Sequence, residues 1–173
     1  MRLFFAVNFS EREKDAIMSK VGELRKICLR GNFSKRDNLH VTLAFLGEVP
    51  RERLSAVIDA AKSVDFSPFD ISVGGAGNFG SVVWLGVDGA KALCALAENV
   101  RDSCAARGVD YDKKAFMPHL TVCREAMFAC GKTPASLDGG AILNKTVTSF
   151  ELMESIRPGG ILTYKKLFSQ RSR

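Results

Sequence analysis

The chain has 173 residues, 46% of them hydrophobic and 25% charged, with a formal net charge of +6. That is enough for one sizeable core and ordinary for a soluble globular protein, so a fibrous or disordered chain is excluded, while the positive charge fits either a polyanionic partner or plain solubility. Five cysteines, an odd number with no CxxC pair, give no sign of a disulfide framework or a zinc ribbon and suit a reducing, cytoplasmic setting.

Residues 2–9 read as a strand, whose apolar run is too short for a membrane span and lacks a small-residue cleavage site. Ser10 with Glu13 forms a capping box that starts a helix, with Ile17, Val21, Leu24 and Cys28 on one face and Gly31 closing it. A strand comes next over 39–46, LHVTLAFL, and Pro50 opens a second helix that turns Leu54, Val57 and Ala61 inward. Residues 69–73 and 82–87 read as two strands joined by a glycine-rich turn. Within that turn GAGNFG, residues 75–80, matches GxGxxG, but SVVW comes after it as a strand, so the helix needed for dinucleotide binding is missing. Asp88 is placed to cap a third helix carrying Leu93, Leu96, Val100 and Cys104, with Gly108 just past its end. Residues 119–123 form another strand. Residues 125–146, with Gly131, Pro134, Gly139 and Gly140, read as loop, and 147–154 and 162–168 as the last strands. No linker divides the chain, so one domain over 1–173 is expected, and the order strand, helix, His-bearing strand recurs in both halves as an approximate duplication.

LHVTLAFLG at 39–47 and PHLTVCR at 118–124 carry the only two histidines. Successive side chains on a strand alternate faces, so His40 and Thr42 share one face against Val41 and Leu43, and His119 and Thr121 share one against Leu120 and Val122. Ala44 would continue the polar face of the first strand and leave room for a ligand. Two such strands across a cleft offer two groups that titrate near neutrality and two hydroxyls, a set suited to acid–base hydrolysis of a phosphodiester. A lone buried histidine is more often a hydrogen-bonded core residue, but the repetition of the pattern favours function. No Asp or Glu lies in either motif, which argues against a metal site.

HVTLAFLG and PHLTVCR, with RLFFAVNFSE, VVWLGV and SFELMESIRPGGILTYKKLFS around them, resemble the paired H-x-T motifs of the two-histidine phosphoesterases. The resemblance is specifically to the RNA 2′,3′-cyclic phosphodiesterases, historically called 2′-5′ RNA ligases. It implies a bilobal α+β fold with pseudo-twofold symmetry, two mainly antiparallel sheets lining a central groove and helices outside. It also implies opening of a terminal RNA 2′,3′-cyclic phosphate to a 2′-phosphomonoester by a monomeric enzyme without metal or cofactor. On that resemblance His119 is the base toward water and His40 the acid toward the leaving oxygen, Thr42 and Thr121 hold nonbridging oxygens, and Arg124, five residues after the second histidine, neutralises the phosphate. Strict alternation would aim Arg124 away, unless the strand ends, twists or bulges near Cys123. Phe45, at the equivalent place after His40, is core by parity and a nucleobase platform by resemblance. Phe33, before the first motif, is open between stacking and packing, and Lys113, Lys114, Lys165, Lys166, Arg171 and Arg173 are open between RNA contact and solvated surface. A small cyclic nucleotide, 2′,5′ linkages or their ligation, tRNA fragments, and a noncatalytic RNA-end-binding module are the other partners and readings that this site would serve.

Overall fold

In the computed structural model the described residues are 1–137 and 139–173. The chain runs β1 (Arg2–Asn8), α1 (Glu11–Ile27), β2 (Cys28–Phe33), β3 (His40–Glu48), α2 (Leu54–Lys62), β4 (Phe69–Phe79) and β5 (Val82–Asp88). It continues through α3 (Ala90–Ala105), β6 (His119–Phe128), β7 (Ala141–Val147), β8 (Ser149–Ile156) and β9 (Thr163–Arg171). The strands form two antiparallel sheets, ordered β3-β1-β8-β9 and β2-β6-β5-β4-β7. The fold is α+β, and the sheet orders relate β1 to β5, β3 to β6, β8 to β4 and β9 to β7. The duplicated order of the sequence therefore corresponds to a duplicated placement of the two histidine strands. Among the described strands only β2 lacks a counterpart.

Local chemistry accounts for the element boundaries. Ser10 and Glu13 form the reciprocal capping box of α1, with the Ser10 N–H donating to Glu13 Oε2 at 2.6 Å, and Ile17, Val21 and Leu24 are buried one turn apart. At the other end of the connection, Arg36 binds Glu11 and donates to Asp15 at 2.7 Å, fixing the approach to β3 against α1. One apolar cluster runs through both sheets and all three helices, with Phe5, Leu43, Leu85, Leu120 and Phe150 fully buried. Burial of each such side chain stabilises the fold by about 1.5–3 kcal/mol. No helix among the described residues is long and apolar enough to cross a membrane.

Four expectations are corrected. Gly31 does not close α1, because the chain passes directly into β2, where it pairs with β6. Asp88 ends β5 instead of capping α3; the residue before α3 is Gly89, at φ 94°, where a β-carbon would meet the Asp70 carbonyl at 2.6 Å. The glycine-rich stretch is strand, since β4 runs to Phe79 and the turn is only Gly80-Ser81. An added β-carbon at Gly77 would lie 2.3 Å from the Trp84 ring, so that glycine is where the indole packs against β4. Finally, 125–146 is not all loop: β6 continues to Phe128 and β7 pairs with β4, while Asp138 lies outside the described residues.

Candidate active site

Matching irregularities in β3 and β6 build the site. Against β1, Thr42 pairs with Ala6 and Ala44 with Phe5, leaving Leu43 as an extra residue. Against β5, Thr121 pairs with Trp84 and Cys123 with Val83, leaving Val122 extra. Each bulge sends two consecutive side chains into the core, Leu43 with Ala44 and Val122 with Cys123, and restores the next residue to the histidine's face. Phe45 and Arg124 therefore both enter the groove, five positions after their histidines. This corrects the outward reading of Ala44, which is buried, and the core reading of Phe45. It also removes the parity conflict at Arg124 by the bulge near Cys123. Phe45 joins Phe4, Ala6, Met153 and Tyr164 in a separate small cluster, with the Arg2 guanidinium 4.9 Å from its ring.

The two imidazoles are held alike. Nδ1 of His40 lies 2.7 Å from the carbonyl of Asn38, and Nδ1 of His119 lies 2.7 Å from the carbonyl of Met117. A carbonyl only accepts, so each Nδ1 carries its proton and each Nε2 is left for proton exchange. The surroundings differ. His40 is boxed by Phe4 at 4.9 Å and Tyr164 at 5.1 Å, and its Nε2 lies 3.0 Å from the Thr42 hydroxyl. His119 has Phe79 edge-on at 5.4 Å, and Phe79 is 41% exposed. Burial pushes His40 down to about 4; the Asn38 carbonyl opposes this, while Arg124 and His119 add repulsion. His40 is thus neutral at pH 7, and Arg124 and His119 disfavour its imidazolium.

His40, Thr42, Phe45, His119, Thr121 and Arg124 all line one groove of about 580 Å³, into which Arg2, Phe4, Asp112, Lys114, Ser155, Arg157, Leu162 and Tyr164 also project. A second chamber of about 290 Å³ opens from it, sharing His40, Thr121, Arg124, Arg157, Leu162 and Tyr164. Among the described residues neither Arg124 nor Arg157 makes a salt bridge, whereas Lys114 is paired with Asp112 at 3.4 Å and Arg2 with Glu48 at 3.4 Å. Two unneutralised guanidiniums beside two imidazoles make the groove a receptor for an anion. Phe4, Arg157 and Tyr164 escaped the sequence reading. Burial raises the Tyr164 phenol above its ordinary range, so it is a neutral wall of the groove, packed against Phe4 and His40. Of the basic residues left open, Lys114 reaches the groove, Lys113 lies over the Tyr111 ring at 3.4 Å, and Arg173 is paired with Asp65 at 2.8 Å.

Comparison with known proteins identifies relatives in sequence and in fold. The family model of the 2′-5′ RNA ligase superfamily matches residues 13–127. The RNA 2′,3′-cyclic phosphodiesterase of Archaeoglobus fulgidus is 38% identical over 129 residues, covering 72% of each chain. A protein of the same name from Geobacillus stearothermophilus is 30% identical over 129 residues, which are 70% of this chain but 41% of that longer relative. The crystal structure of E. coli LigT in apo form superposes with a TM-score of 0.84 at 31% identity, over 99% of this chain and 96% of that one.

Proposed function

The chain belongs to the 2′-5′ RNA ligase superfamily, and from that membership we propose that it is a phosphodiesterase that opens the terminal 2′,3′-cyclic phosphate of RNA with water and without a metal ion. One observation carries the reading. Two histidines from separate strands, each with Nδ1 bound to the carbonyl two residues earlier, share a groove with an unpaired arginine.

The proposed reaction uses protein groups throughout. Water attacks phosphorus as His119 Nε2 takes one of its protons; the bond from phosphorus to O3′ breaks, and His40 Nε2–H protonates O3′. The products are a 2′-phosphomonoester and a 3′-hydroxyl, and the histidines exchange protonation states and re-equilibrate through solvent. Thr42, Thr121 and Arg124 hold the nonbridging oxygens, where charge accumulates as the fifth oxygen approaches. Phe45 offers its ring to the terminal base. His40, neutral in the free protein, gains its proton as the phosphate arrives, because an anion in contact favours the imidazolium.

The test is product identity. An oligoribonucleotide ending in a 2′,3′-cyclic phosphate, incubated with the protein in EDTA, is expected to yield a 2′-phosphate. A 3′-phosphate would overturn the proposed geometry of attack, and no turnover until a metal is added would overturn the two-histidine chemistry.

A further inference from the structure

The two arms of the groove differ in chemistry in a way that sorts the parts of a nucleotide. The part of the groove that the chamber does not share is walled by Phe4 and Phe45, and its charges are already matched, Arg2 by Glu48 and Lys114 by Asp112, whereas Arg124, Arg157 and Tyr164 line both spaces. The chamber between β2 and the loop joining β8 to β9 holds three cations, Lys35 and the shared Arg124 and Arg157, beside Phe33 and Tyr164, and no carboxylate is among its described lining residues. None of the three makes a salt bridge among the described residues, which leaves a surplus of positive charge around about 290 Å³. Two short contacts hold that chamber open: Ser34 Oγ donates to the Thr121 carbonyl at 3.0 Å, and Asn38 Nδ2 donates to the Leu162 carbonyl at 3.0 Å.

A terminal nucleotide with its cyclic phosphate between His40 and His119 projects two further groups, a base and a 5′ phosphodiester. The base fits beside Phe4 and Phe45, and the anion fits the chamber, where Lys35 adds a third unmatched cation to the two shared arginines. We infer that the chamber lined by Lys35 and Arg157 is a subsite for the phosphodiester on the 5′ side of the cyclised nucleotide, and that Lys35 sets the preference for a chain end over a lone nucleoside cyclic phosphate. This rests on the proposed reaction for the placement of the cyclic phosphate, and Lys35 itself touches only the non-reacting phosphate.

The probe is a pair of product analogues, adenosine 2′-monophosphate and adenosine 2′,5′-bisphosphate, titrated calorimetrically into the whole protein. The bisphosphate is expected to bind about tenfold more tightly, the scale of one charge-assisted contact. Lys35→Glu, at an exposed position, is expected to bring that ratio close to one, while Lys62→Glu, on the exposed side of α2, keeps it. Equal affinities in the unaltered protein, or a ratio that survives Lys35→Glu, would overturn the subsite. Turnover of an oligoribonucleotide ending in a 2′,3′-cyclic phosphate is measured separately; its absence would overturn the reaction, and the affinity ratio would still decide the chamber.

Discussion

His40 has to be buried enough to be held and yet available to a proton, and its surroundings set a measurable pH dependence. Its folded-state pKa of about 4 lies below the ordinary histidine value near 6.5. Between those values the unfolded chain binds a proton that the folded one does not, so stability falls as pH drops through that window. His40→Gln removes the titration; its urea midpoint should change less between pH 7 and pH 4.5 than that of the unaltered protein, and identical changes would contradict the burial argument. In kinetics, kcat/KM reports the free enzyme and should carry a limb near pH 4 from His40, displaced upward in kcat by the bound anion. His40→Ala and His119→Ala should each lower kcat/KM by about 10²–10⁴-fold with unchanged circular dichroism. These two residues are legible because the same four-residue pattern occurs twice around the only histidines. Tyr164, Phe4 and Arg157 are not, since each reaches the groove from a strand or loop with no local signature and is recruited only by sheet pairing.

Strand periodicity places each histidine and its threonine on one face but misplaces the residues beyond them, and the bulges are the physical reason. One extra residue reverses the parity of the rest of the strand, so strict alternation puts Ala44 in the groove and Phe45 in the core, the opposite of their positions. A residue-by-residue count has no way to register Leu43 or Val122 as the inserted residue, because both are apolar and both are buried. The missed strands have a different cause. CLRGNF of β2 leaves α1 without a turn, and AILNKTV of β7 carries Asn, Lys and Thr among its apolar residues; both gain their strand character from partners far along the chain. Glycines inside β4 mimic a turn as long as Trp84 above them is out of view. Gly77→Ala forces its β-carbon into that ring and should cost about 1–3 kcal/mol, the usual range for overpacking. Loss of urea midpoint with a shifted emission from the single tryptophan is the expected result; an unaltered midpoint would mean the indole has another place to lie.

The two sheets do not divide the chain into halves. The first sheet takes β1 and β3 from the beginning and β8 and β9 from the end, with β8 hydrogen-bonded between β1 and β9, and Phe150 and Leu152 of β8 are fully buried. A chain cut after Val147 should therefore fail to fold, and the full chain should unfold in one urea transition by both fluorescence and circular dichroism. Separate transitions would assign the sheets independent stability. Apart from β2 and β7 the element order is legible from alternating strand and helix patterns, whereas this interleaving is not, because which strands become neighbours depends on long-range pairing. A cradle with an exact twofold axis would accept a five-membered cyclic ester either way round and release a mixture of two isomers. The unmatched strand β2, leading into Lys35 on one side only, together with the aromatic box around one imidazole and the open flank of the other, makes the cradle unequal at its two ends, and on the proposed reaction such a cradle would take the ester one way round and release one isomer.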